Sequence, residues 1–302
     1  LKSMIARGDI WLAKAKVLEK PTSVPRAHRP SPRPPLAARP HALSVTEIKR
    51  LIRDPYAVYA KHTLKLRALN PIVQSPDAPM RGTLIHSVME VFVKNIIANP
   101  SLLNSAHLMT VARDILERDV PWPATRALWL AKLSRVADWF ISKEVERQTR
   151  STPIAFEKQA KGVMKLPQLG FTLTGYADRI DKTGPNNVAI FDYKTGAPPS
   201  EKQQAKFDKQ LLIEAAMMEV GSFNHVGINS VDEAVFIGLG SNPVEVRAPL
   251  QKEPPAKVLD ELSQLIRAYL SDEQGFTSQR TIQSERERGD YDHLARFGEW
   301  DG

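Results

Sequence analysis

Residues 175–196, GYADRIDKTGPNNVAIFDYKTG, hold two β-patterned runs joined by Gly184, Pro185 and Asn186, residue types that set the backbone angles of a tight turn. The pattern predicts an antiparallel hairpin. With Lys182 opposite Val188, Asp178 falls opposite Asp192, and directly opposed residues share a face with Cβ atoms about 5 Å apart. Lys194 lies two residues beyond Asp192 and shares that face. A slip of one residue would undo the grouping, because it turns every side chain of one strand over. The run VAIF before Asp192 has the unbroken apolar character of an inner strand, and charges at the end of such a strand need a reason to be there.

Two adjacent carboxylates repel, and burying them together costs free energy unless a proton or a cation neutralises them. A divalent metal is the natural occupant. Magnesium, for which manganese can substitute, suits carboxylate oxygens and keeps exchangeable positions for a phosphate oxygen and a water. An amine beside it can orient or help deprotonate that water and offset charge developing on phosphorus. Asp178, Asp192 and Lys194 therefore make a plausible kit for phosphodiester hydrolysis. The plainer alternative is a surface ion pair between Asp178 and Lys194 with Asp192 solvated at the strand end. Arg179 and Asp181 most simply form a structural pair near the same hairpin.

Around this hairpin the chain changes character. Helical periodicity covers residues 45–53, 55–62, 82–98, 101–118 and 124–148, the first opened by Ser44 and Glu47 in a capping-box arrangement. After Pro153 come β-type runs at 154–164, 171–182, 188–194 and 233–239, with helices at about 203–220 and 255–271. Hairpin, helical crossover and further buried strand make an α/β core, a small mixed sheet flanked by helices, with a helical first half. The expected divisions are a helical part at 44–150, a catalytic α/β core at 151–271 and a polar C-terminal segment at 272–302. Residues 21–40 carry seven prolines and four arginines, a density that favours an extended, semi-rigid connector. Residues 21–43 are therefore expected to be a linker, and the helix-like residues 1–20 the end of a preceding domain of a longer protein. A ligand for a proline-binding module and a nucleic-acid-binding arm are the other readings of the linker.

Composition closes several routes. With 302 residues, 42% of them apolar, the chain can bury a sizeable core and is not disordered. Its net charge is +8, but residues 1–40 alone carry nine basic side chains against Asp9 and Glu19. The rest is almost neutral, so the charge says little about what the folded part binds. The absence of cysteine removes disulfides, thiolate zinc sites, iron–sulfur clusters and cysteine nucleophiles. No apolar run approaches the roughly 20 residues of a membrane span, and the basic start lacks the features of a secretory signal. A soluble, cytoplasmic protein without membrane partners is expected. There is no GxxxxGK[ST], hence no ATP site in this segment. No SxxK accompanies the two KTG triplets, and Gly238 and Gly240 lack the third glycine of a dinucleotide loop.

GYADRID followed by IFDYKTG, with QLLIEAA downstream, resembles the RecB-type branch of the PD-(D/E)XK nuclease superfamily. RPPLAARP, LSVTEIKRLIRDPYAVYAKHTLKL, RGTLIHSVMEVF and GDYDHLARFGEW are similar to the C-terminal nuclease part of AddB, which works with AddA in bacterial helicase-nucleases that process double-strand breaks. The likeness runs over roughly residues 25–302. It implies a PD-(D/E)XK core and a magnesium-dependent DNA exonuclease, with DNA and an AddA-like helicase-nuclease subunit as partners and a 5′ to 3′ sense of cutting. By position, Asp178 and Asp192 match the two acidic metal ligands, Lys194 the catalytic lysine, the Tyr193 carbonyl a further metal contact, and His86 a histidine of the metal site. Alone, His86, four residues before Glu90, would read as a packed or capping histidine. Gln210 matches a glutamine that holds substrate phosphate or a catalytic group, but Glu214 stands where the family's tyrosine is expected, so no tyrosine role transfers. Glu157 reads equally as an outer carboxylate or a surface strand residue. Some relatives close this domain with an iron–sulfur cluster, which this chain cannot do. The reading from a different class is a catalytically weak module that holds DNA or docks AddA.

Overall fold

The strands from Thr152 onward divide between two sheets, and the chain changes sheet inside two of the expected β-runs. A computed structural model describes residues 2–20, 27–69, 71–281 and 289–300. In chain order its regular elements are helix α1 (Lys2–Leu18), strand β1 (Ala42–Ser44), and helices α2 (Val45–Arg53), α3 (Pro55–Val58), α4 (Ala78–Ala98), α5 (Ser105–Asp119) and α6 (Pro123–Gln148). Strands β2 (Thr152–Phe156), β3 (Lys161–Leu166), β4 (Phe171–Tyr176), β5 (Arg179–Gly184) and β6 (Asn187–Lys194) follow. Helices α7 (Glu201–Lys206) and α8 (Gln210–Glu219), strands β7 (Ser230–Gly238) and β8 (Val244–Arg247), and helix α9 (Pro255–Tyr269) complete it. The helix starts follow local chemistry. Ser44 and Glu47 close a capping box at α2, Asp77 accepts from the Met80 amide at α4, Asn104 from the His107 amide at α5, and Ser200 and Gln203 box α7, each satisfying amides that a helix start leaves unpaired.

The expected run 154–164 is two strands, β2 and β3, parted by a turn in which Glu157 takes φ +43°. The expected run 171–182 is also two, because the chain leaves one sheet and enters another across Ala177 and Asp178. The helix expected at 203–220 is broken into α7 and α8, and β8 pairs antiparallel with β7 where no strand was expected. A three-stranded sheet has the order β1-β4-β3, and a five-stranded sheet the order β2-β5-β6-β7-β8. In the larger one β5 and β6 are antiparallel, with Lys182 opposite Val188 and Arg179 opposite Phe191, whereas β6 and β7 are parallel. The α7–α8 crossover makes that parallel pairing possible.

Strand β6 is buried on both faces. Val188 and Ile190 join a core with Leu211, Leu212 and Met218 of α8 and Leu262 and Ile266 of α9, while Ala189, Phe191 and Tyr193 join a second core with Val88, Phe92, Leu133 and Phe140 of α4 and α6. The pleat sends alternate residues to the two sides, and its continuation puts Asp192 and Lys194 on the α8 side.

The proline-rich stretch is not a free connector over its described part. The Ser278 and Phe276 amides donate to the Pro30 and Pro32 carbonyls, both at 2.9 Å. Arg39 is buried, donating to the Tyr269 carbonyl at 2.8 Å and that of Gln274 at 3.0 Å, and β1 adds to β4 in parallel. Buried carbonyls at the end of α9 need donors, and Arg39 supplies them, so this segment belongs to the folded body. Its first part, residues 21–26, lies outside the described residues, as do 282–288 and 301–302 of the C-terminal segment. The described remainder of that segment packs as a cap, with Ala295 buried against Tyr56. Among the described residues no helix is long and apolar enough to cross a membrane.

Candidate active site

Strand β5 starts only at Arg179, opposite Phe191, so beyond Phe191 the edge of β6 that faces β5 has no strand partner. The backbone polar groups there must be satisfied otherwise. The Tyr193 N–H donates to Asp178 Oδ2 at 2.7 Å, and the Tyr193 carbonyl accepts from His86 Nε2 at 2.6 Å. His86 comes from α4, and its other nitrogen, Nδ1, lies 3.2 Å from Asp178 Oδ1 and 3.7 Å from Glu157 Oε1. Ligand atoms of His86, Glu157 and Asp178 all fall within 4.8 Å of one another. The left-handed turn at Glu157 brings that side chain in, held by its own N–H to the Asp178 carbonyl at 3.3 Å.

On the α8 side of β6, Asp192 is 2% exposed. Its Oδ2 pairs with Lys194 Nζ at 2.7 Å and its Oδ1 accepts from Gln210 Nε2 at 2.6 Å. Gln210 Oε1 in turn accepts from Lys194 at 3.1 Å, and its amide reaches Glu214 Oε1 at 3.2 Å. Lys194 also stands over the Phe236 ring, 5.1 Å from its centre. A cleft of about 540 Å³ opens over Lys194 and Gln210.

The electrostatics follow from this crowding. Burial, then the charge of Asp178, pushes the Asp192 carboxyl up to about 6 against the pull of Lys194. Burial disfavours a charged His86, but hydrogen bonds to Asp178 and Glu157 and the nearby carboxylates outweigh it and push the imidazolium up to about 10. Lys194 loses solvation too, yet Asp192 raises it above its ordinary value. Glu214, 1% exposed, is raised well above its ordinary carboxylate value by burial and by Asp192 and Asp178.

The site residues singled out in the sequence thus lie in two halves joined through the Tyr193 backbone: Asp178 precedes β5 and bonds the Tyr193 N–H and His86, so it is not the cross-strand partner of Asp192 that the register implied. His86, Asp178 and the Tyr193 carbonyl form one half, Asp192, Lys194 and Gln210 the other. Two further acids join them, Glu157, for which the sequence left an outer carboxylate and a surface strand residue equally open, and Glu214, to which it assigned no role. Glu157 is an outer carboxylate of the first half. Glu214, an acid inside the apolar run of α8, is a buried member of the second, and its only signal was that interruption. The donor set is one imidazole, carboxylate oxygens and a backbone carbonyl, and the proton that His86 holds against these acids must leave before the ring can act as a ligand. That chemistry fits a hard divalent cation. Arg179 and Asp181 do pair, at 2.6 and 2.7 Å, within a wholly buried network with Glu144, Arg147 and Ser151 that lies under the hairpin.

The family model of the PD-(D/E)XK nuclease superfamily matches residues 42–285, which takes in both halves of this site. The chain belongs to that superfamily. An uncharacterised protein of Rickettsia conorii is 36% identical over 191 residues, covering 61% of this chain and 23% of the relative. One subunit of the ATP-dependent helicase/deoxyribonuclease of Oenococcus oeni is 21% identical over 239 residues, covering 69% and 20%. The chain therefore spans about a quarter or less of the length of these relatives. A solved structure from Eubacterium rectale covers 86% of this chain and 94% of its own, at 12% identity and a TM-score of 0.45. In this PD-(D/E)XK domain Asp192 and Lys194 sit at the carboxyl end of an inner strand and Asp178 against its edge, with a cleft beside them.

Proposed function

We propose that this chain is a magnesium-dependent DNA exonuclease domain of an AddAB-type helicase-nuclease, hydrolysing DNA phosphodiesters during double-strand-break repair and recombination. The observation that carries the reading is the convergence of Asp178, Asp192, Lys194, His86 and Gln210 around the end of β6. Superfamily membership supports the reaction class. The likeness to the Oenococcus helicase/deoxyribonuclease supports the assembly and an AddA-like partner.

Asp178, Asp192, the Tyr193 carbonyl and His86 would hold the cation, with Glu157 beside them. When bound, the cation supplies Lewis-acid polarisation of the phosphate and lowers the cost of generating hydroxide. The chain's own side chains do the rest. Lys194, kept charged beside Asp192, offsets negative charge that develops on the phosphate oxygens. Gln210 fixes both Asp192 and Lys194 by donating to one and accepting from the other, and so presets their separation. His86 and Asp178 fix the edge of β6 through the two polar groups of Tyr193, which keeps the halves from drifting apart.

The test is release of nucleotides from single-stranded DNA with magnesium by the parent chain, Asp192→Ala and Lys194→Ala. Loss of release in both variants supports the reading. Equal activity in all three eliminates the assignment and leaves a DNA-holding or AddA-docking module.

A further inference from the structure

A second cleft, of about 450 Å³, lies next to the candidate active site beyond the carboxyl ends of the parallel strands β6 and β7. In open α/β sheets this is where the loops diverge and ligands are held. Its rim is formed by Thr195–Ala197, which follow Lys194 directly, and by the loop after β7. Its opposite wall is helical, with Arg81 and Ile85 from α4, the latter immediately before His86, and Lys132 and Arg135 from α6. Three cations therefore line the cleft and no acid does. Among the described residues, none of the three has a carboxylate within ion-pair distance. Arg81 is tied to the loop by a hydrogen bond from Nη2 to the Thr195 carbonyl at 3.2 Å, while its buried Nε has no partner. The rest of the wall is apolar, from Ile85, Leu133 and Leu239.

We propose that this cleft is a nucleotide subsite for single-stranded DNA, with Arg81, Lys132 and Arg135 holding the phosphate adjacent to the one hydrolysed and Ile85, Leu133 and Leu239 receiving the sugar and base. The proposal rests on the nuclease reading of the neighbouring site. Cations that line one cleft without a carboxylate partner can hold a phosphate, and about 450 Å³ is the size of a small-ligand pocket. The Thr195–Ala197 rim follows Lys194 directly, so the subsite adjoins the candidate active site.

Binding of a fluorescein-labelled single-stranded oligonucleotide to the 302-residue chain, with calcium in place of magnesium, separates this proposal from the reaction. Lys132→Ala with Arg135→Ala should weaken binding at least tenfold and lower the slope of log affinity against log salt by about 1.4, at roughly 0.7 for each cation removed from a phosphate. Arg113→Ala, on the exposed side of α5, should leave both unchanged. Gly196 lines the cleft, and a Cβ there meets nothing within 4 Å. Gly196→Leu should therefore fill the space and weaken binding with the salt slope kept. Affinity and slope equal to the parent in the double variant, with circular dichroism unchanged, overturn the subsite even if the chain cleaves DNA. The expected loss of binding in a chain that never cleaves DNA upholds the subsite and sinks the nuclease reading.

Discussion

The Asp178 carboxylate accepts the backbone N–H of Tyr193 at 2.7 Å, across the gap left where β5 has not yet begun. The acid is therefore positioned by the backbone of β6, the strand that also carries Asp192 and Lys194. Asp178→Asn preserves shape but removes the charge and puts an amide where one oxygen must accept from Tyr193 or from His86. Nucleotide release should fall at least a hundredfold, and calorimetry should show manganese affinity weakened tenfold or more. Parent-like metal affinity in the variant would remove Asp178 from the metal site.

Arg179 is wholly buried, joined to Asp181 by two hydrogen bonds and to Glu144 by a third, and it stacks 5.4 Å from the Phe191 ring centre. Removing one partner of a buried charge network strands the others. Arg179→Met should lower stability by about 3–5 kcal/mol in urea denaturation. A loss under about 1 kcal/mol would show that Arg147 and Ser151 suffice to satisfy Glu144 and Asp181.

Glu214 holds its proton more tightly folded than unfolded. Its contribution to stability is complete below the ordinary glutamate value of 4.5 and is lost progressively as pH rises above it towards the folded value. Glu214→Gln, with similar shape and no charge, should match the parent at pH 4 and gain on it as pH rises above 4.5, read as the urea midpoint at each pH. A parallel pair of curves would mean that Glu214 is ionised and paired in the folded chain.

Glu47 has the opposite sign. Burial disfavours its charge, but Lys61, the Ser44 amide and His62 outweigh this and hold the carboxyl at about 2 against an ordinary 4.5. Its stabilisation is present above pH 4.5 and fades as pH falls towards 2. Glu47→Gln should cost on the order of 1 kcal/mol at pH 7, the usual worth of a helix cap, and the deficit should shrink between pH 4.5 and 2. A deficit independent of pH would assign the loss to packing alone.

Much of the molecule could be read along the chain because the deciding interactions are local. Ser44 and Glu47 are three residues apart, so the start of α2 is written in adjacent letters. The β5–β6 register follows from a turn at Gly184–Asn186 and from VAIF, since a short loop leaves few ways to pair its flanks. What needed the folded chain were the contacts made over long separations. The passage from β4 to β5 across Ala177 and Asp178 looks like one continuous strand in the sequence, because β-type residues run through both halves without a marked turn, and only the pairing of β4 with β1 and β3 shows that they serve different sheets. The packing of Arg39 against the end of α9 reverses what its proline-rich setting implies, because burial of two carbonyls more than 200 residues away outweighs local stiffness. Glu157 reaches His86 through a left-handed turn, and Glu214 holds its proton more tightly than a free glutamate because the apolar core surrounds it and two other acids lie near. Backbone angles and charge states of this kind depend on neighbours that meet only when the chain has closed.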